Sequence, residues 1–179
     1  MTPEDVVSFW IAAGPQKWFA KDDGFDAEIH ARFASATQAA AHGDLDAWAA
    51  TAKGSLALLI LLDQFPRNLY RGSPKAFAAD PKARAIADQA LARGHDQTYE
   101  PNLRQFFYLP FMHSEALADQ DRSIALYEAL GLELQLRFAH LHRDPIARFG
   151  RFPHRNAVLG RETTAEERVF LETEGAFKG

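Results

Sequence analysis

The sequence predicts an all-α protein built of stacked antiparallel helical hairpins. Three observations carry that expectation. Apolar residues recur at three- and four-residue spacing through most of the chain, helix start and stop signals punctuate it, and no segment alternates in the manner of a strand. Valine and isoleucine, the residues a sheet would need, are sparse and scattered.

The elements follow in order. Thr2 and Pro3 open a first helix as cap and first residue, with Asp5 three residues after the cap, and Gly14-Pro15 closes it. Phe25, Ile29, Phe33 and Ala36 form one buried face of a second helix, followed by Gly43. Asp44 is expected to cap a third helix reaching Asp63 or Gln64, ended by Pro66. Its stretch Leu56–Leu62 is apolar on every side and so belongs at the centre of the molecule. Asp80-Pro81 reads as cap and first turn of a helix closed by Gly94, Pro101 starts another, and Pro110 interrupts it. A long helix is expected from about Ser123 to His142, with Tyr127, Leu130, Leu134, Phe138 and Leu141 as its stripe and Gly131 as a weak spot. Asp144-Pro145 would then cap a short helix, and Thr164 with Glu167 would form the capping box of the last.

Short connections between successive helices favour antiparallel neighbours, which suggests a tetratricopeptide-like superhelix. Gly43, Gly94 and Gly131 are unequally spaced, so the expected form is degenerate rather than regular. At 179 residues, 47% hydrophobic and 25% charged, the chain 1–179 suits a single globular domain.

Composition also removes function classes. There are no cysteines, so disulfides, thiolate chemistry and Cys-ligated metal are excluded. A net charge of -4 without a basic stripe argues against nucleic acid. The longest apolar run, Leu56–Leu62, falls well short of the ~20 residues that span a bilayer, so no membrane partner is expected. The acidic opening Met1-Thr2-Pro3-Glu4-Asp5 lacks the basic character of a signal peptide, and a cytoplasmic location is expected. No phosphate loop, dinucleotide fingerprint or nucleophile elbow is present.

Three segments mix charged, amide and aromatic residues where helices end: Leu62–Gly72, Phe107–Glu115 and Arg148–Asn156 continuing to Arg161. Together with Val7-Ser8-Phe9-Trp10 and Lys17-Trp18-Phe19, these strings resemble a bacterial family catalogued as domain of unknown function 924, over nearly the whole chain. The resemblance implies an all-helical, tetratricopeptide-like fold. It implies no activity and brings no catalytic residues.

The residues themselves suggest a pocket for a small anion. Arg151, Arg155 and their neighbours Arg148 and Arg161 offer guanidinium forks for carboxylate or phosphate, with ion pairing to Asp63, Glu115 and other acids that stitches helix ends together as the competing role. His154 and Asn156 accompany them, while His113 and Glu115 could pair as base and carboxylate. Asp63, Gln64, Arg67 and Asn68 supply a further polar set, with a structural ion pair as the competing role for Asp63 and Arg67. His113 with Glu115, and His140 with His142, stand two apart rather than four, so no helical metal pair and no cofactor are expected. Two functions compete: binding or processing a small anionic metabolite, and a peptide or protein interaction module presented by stacked helices.

Overall fold

A computed structural model describes residues 1–178, whose regular elements are all helices, with no strand among them. The residues cluster into two compact units, 1–110 and 111–178.

The first unit contains α1 (Pro3–Ala13), α2 (Pro15–Trp18), α3 (Asp23–His42), α4 (Ala52–Leu59), α5 (Phe65–Leu69), α6 (Asp80–Ala92) and α7 (Pro101–Arg104). Thr2 caps α1 through a capping box with Asp5, and Gly43 closes α3 with a φ of 102°, which only glycine adopts without strain. The run Leu56–Leu62 is fully buried, with α1 and α6 packed against α4. Trp10, Phe33, Phe65 and Phe106 lock around it, with ring centroids 5.0–5.7 Å apart.

Three expectations for this unit are corrected. Thr51, not Asp44, caps the central helix, because a 3-10 turn over Asp46–Ala50 delays its start. Pro66 does not end it. The backbone widens into a π-turn over Ile60–Gln64, which places Pro66 in the first turn of α5, where its missing N–H costs nothing. Asp80 is a helical residue rather than a cap, and its carboxylate is engaged by Arg67.

The chain passes through α8 (Leu109–Met112) into the second unit, formed by α9 (Leu117–Leu130), α10 (Glu133–Phe149) and α11 (Ala165–Glu172). The expected long helix 123–142 is instead two helices. Gly131 takes a left-handed φ of 75° and caps α9, its N–H donating to the Tyr127 and Glu128 carbonyls. Arg143 on α10 reaches back to Asp121 at 2.6 Å, so α9 and α10 form an antiparallel hairpin. This break shifts the helical phase. On α10 the buried face is Ala139, His142, Pro145 and Ile146, while Leu134 and Phe138 of the expected stripe are 56% and 45% exposed. Pro145 lies inside α10 and starts no new helix. Thr164 and Glu167 do form the capping box of α11.

Candidate functional site

The first candidate segment belongs to the first unit, where its residues pair with neighbouring elements. Widening the helix at Ile60–Gln64 buries Asp63 at 1% exposure with Gln64 beside it, and the Gln64 amide donates to the Asp63 carboxylate. Arg67 donates to the Asp63 carbonyl at 2.6 Å and lies 3.5 Å from its carboxylate. It also grips Asp80 with both terminal nitrogens at 3.0 Å. Burial opposes the Arg67 charge, but Asp63 and Asp80 outweigh it and raise its pKa. Asn68 donates to Asp26 at 2.7 Å, an acid shared with Arg71.

The other six candidates, His113, Glu115, Arg151, His154, Arg155 and Asn156, all lie in the second unit and fall into two groups. The first is a chain of charge-assisted bonds. Glu115 accepts both terminal nitrogens of Arg161, at 2.8 and 2.9 Å, and the Phe152 N–H at 2.8 Å. Burial alone would raise the Glu115 pKa, yet these donors hold it below the usual carboxylate range. Arg161 continues to the Asn156 side-chain oxygen at 3.0 Å, and the Asn156 amide reaches Glu167 at 3.1 Å. Glu167 also takes Arg151 in a two-pronged bond at 2.6 and 2.9 Å and the Thr164 N–H at 2.8 Å. The Arg151 bond, with help from Thr164 and Asn156, lowers the Glu167 pKa to about 2. This chain ties the loop 150–163 to α11 and to Glu115.

The second group is imidazole-rich. His142, on the buried face of α10, lies 6.0 Å from the His113 ring and 5.9 Å edge-on from Phe152. Its Nδ1 donates to the Phe138 carbonyl at 2.7 Å, since a carbonyl only accepts, which leaves Nε2 as the acceptor nitrogen. The His154 ring stands 5.4 Å from that of Phe152, and its buried Nδ1 has no hydrogen-bond partner. Arg155, 6% exposed, spreads its guanidinium 4.5 Å over the Phe152 ring and donates to the His113 carbonyl at 3.1 Å. Phe177, from the segment after α11, closes the group with its ring 3.8 Å from His142 and 5.0 Å from His154.

Burial dominates the electrostatics of this group. Burial first, and then the neighbouring His113, His154 and Arg155, push His142 down to about 3. Burial and then Arg155 push His154 down to about 4, with Glu115 acting the other way. Both imidazoles are therefore neutral at physiological pH.

Sequence reasoning passed over His142, Glu167 and Phe177 as site-building residues, while Arg161 is grouped there with the arginines of the third segment. His142 had a usable signal, since three- and four-residue spacing sets it on one face with Ala139 and Ile146. Glu167 was legible only as a cap, because its second role needs Arg151 and Asn156 brought beside it. Two surface hollows, lined by Asp46, Ala49, Gln89 and Arg93 in the first unit and by Arg148, Phe149, Glu166 and Val169 in the second, include none of the ten candidates. No group of three metal-ligating side chains is arranged to hold an ion among the described residues.

A family model described as a bacterial protein of unknown function, DUF924, matches residues 6–175. The chain belongs to the DUF924 family. A solved structure described as a protein of unknown function, ATU0120 from Agrobacterium tumefaciens, is 55% identical and superposes with a TM-score of 0.92, covering 95% of this chain and 96% of that one. No curated protein matches. The match to ATU0120 establishes the all-helical DUF924 fold and leaves function to be argued from the side chains. No described helix of this DUF924 protein is long and apolar enough to cross a membrane.

Proposed function

We propose that this DUF924 protein binds a small carboxylate or phosphate at the imidazole-rich group of its second unit. His113, His142, His154 and Arg155 provide the contacts. The observation that carries the reading is the gathering of the His142 and His154 imidazoles and the Arg155 guanidinium around Phe152, with the His113 ring 6.0 Å from His142. A bound anion would favour protonation of the neighbouring imidazoles and would then be held by charge-assisted N–H donors. His154 supplies a directional contact, because its Nδ1 is buried without a partner and a buried polar atom in that state is costly. Within this reading Glu115, Asn156 and Arg151 are positioning residues that hold the loop through Arg161 and Glu167, and Asp63, Gln64, Arg67 and Asn68 brace the first unit. No cofactor is required, and a cytoplasmic setting suits a chain without cysteine.

The test is calorimetric titration with inorganic phosphate and with acetate at pH 6. Arg155→Met and His154→Gln should each weaken binding at least tenfold with helical content unchanged, and Arg155→Lys should retain part of it. Variants that bind both anions as the wild type does, or a wild type that binds neither, would overturn the assignment. The second reading, a tetratricopeptide-like interaction module, draws on exposed Leu134 and Phe138, one turn apart on α10. Leu134→Lys should leave anion binding intact, which separates that surface from the proposed site.

A further inference from the structure

The hollow on the second unit, between the last turn of α10 and α11, shares no lining residue with the imidazole-rich group. It holds about 430 Å³ and is lined by Arg148, Phe149, Glu166 and Val169. Its apolar wall is firmly built. The Phe149 ring meets the buried Phe170 ring edge-on at 5.4 Å and 71°, and Val169, which shares the hollow, is 65% exposed. The Arg148 guanidinium lies over both rings, 5.1 Å from the Phe149 centroid and 5.0 Å from that of Phe170. A guanidinium held by its face still donates from its edge, in the plane of its N–H groups. Its ion pair with Asp144 at 3.4 Å joins two exposed side chains, and such pairs are worth little.

Opposite charge stands one helical turn away. Glu166 precedes Phe170 by four residues on α11, so it starts from the same helix face as the ring that Arg148 covers. Side chains so placed leave the helix about 5–6 Å apart, a spacing that suits two charges carried on one carbon. We propose that this hollow binds a free apolar α-amino acid, its carboxylate on Arg148, its ammonium on Glu166 and its side chain against Phe149 and Val169. A ligand with one charge alone would leave the other side of the rim unmatched. One without a side chain would leave Phe149 and Val169 in water.

The experiment is an NMR titration of the full chain with L-leucine, following the Phe149 ring and Val169 methyl signals. A Kd on the order of 1 mM is expected for so small a ligand in a surface hollow. Isocaproate, which lacks the ammonium, isoamylamine, which lacks the carboxylate, and glycine, which lacks the side chain, should each bind about tenfold more weakly. Arg148→Met and Glu166→Gln, both at exposed positions, should each weaken leucine about tenfold with helical circular dichroism unchanged, and Glu166→Gln should leave isocaproate as it was. Unmoved Phe149 and Val169 signals in the wild type would overturn the assignment, as would wild-type leucine affinity in both variants. N-acetyl-leucine binding as tightly as leucine would overturn the zwitterion and point to the carboxyl end of a peptide instead. Shifts confined to the His142 and His154 ring signals would show leucine acting as a plain carboxylate at the imidazole-rich group, which refutes this site and leaves the anion site standing.

Discussion

At the scale of single residues, Glu167 shows how one side chain serves several elements. It caps α11, anchors Arg151 and takes the Asn156 amide, four hydrogen bonds into one nearly buried carboxylate. Replacing it with Gln keeps the shape but turns one oxygen into a donor facing donors. Glu167→Gln should therefore lower stability by about 1–3 kcal/mol in urea unfolding at neutral pH. The sign of the pH effect follows from its lowered pKa. The contribution is fully present above the ordinary value of 4.5 and is lost as pH falls through about 2. The variant should lack that part of the acid loss, and an identical acid limb in both proteins would refute the role. From sequence, Thr164 and Glu167 were legible as a cap because the motif is local. The Arg151 and Asn156 bonds were not, because a loop of unpredicted path brings them there.

At the scale of elements, two glycines carry different loads. Gly54 lies in the first turn of α4, where a Cβ would sit 1.9 Å from the Trp48 carbonyl oxygen, so the 3-10 turn and the helix can pack only around a bare backbone. Gly54→Ala should destabilise by about 1–3 kcal/mol or more through forced backbone movement, measured as a lowered Tm. Gly131 has open space around it but a left-handed φ, so Gly131→Ala should cost only about 1–2 kcal/mol, a conformational penalty without a clash. An equal loss at both positions would contradict this distinction. The same glycine explains where periodicity misled: Leu134 and Phe138 continue the spacing of Tyr127 and Leu130, but Gly131 reorients the chain and turns them outward. Pro66 misled for a related reason, since a π-turn upstream accommodates it.

At the scale of the molecule, the buried imidazoles govern the response to acid. His142 and His154 have folded-state values near 3 and 4 against 6.5 in the unfolded chain. The unfolded chain therefore binds more protons below pH 6.5, and stability present above that value drains away as pH falls toward 4. Each imidazole adds a slope of about 1.4 kcal/mol per pH unit between its two values. His142→Asn and His154→Gln should each flatten the plot of unfolding free energy against pH between 6 and 4.5. A wild-type plot that is level over this range would refute neutral burial. Binding of an anion should oppose the loss, because negative charge in the site raises the imidazole values and takes up protons.

The sequence by itself determined the helical class, several helix starts and the fully buried centre of the first unit. Those properties depend on residues a few positions apart, whose spacing sets which face is apolar and which side chain caps a backbone N–H. Tertiary structure alone decided which neighbours each polar residue meets. Arg151 and Arg155 look alike in the chain. One is neutralised by Glu167, sixteen residues away, while the other is buried over Phe152 among imidazoles, because charge pairing depends on distance in space and the fold sets that distance.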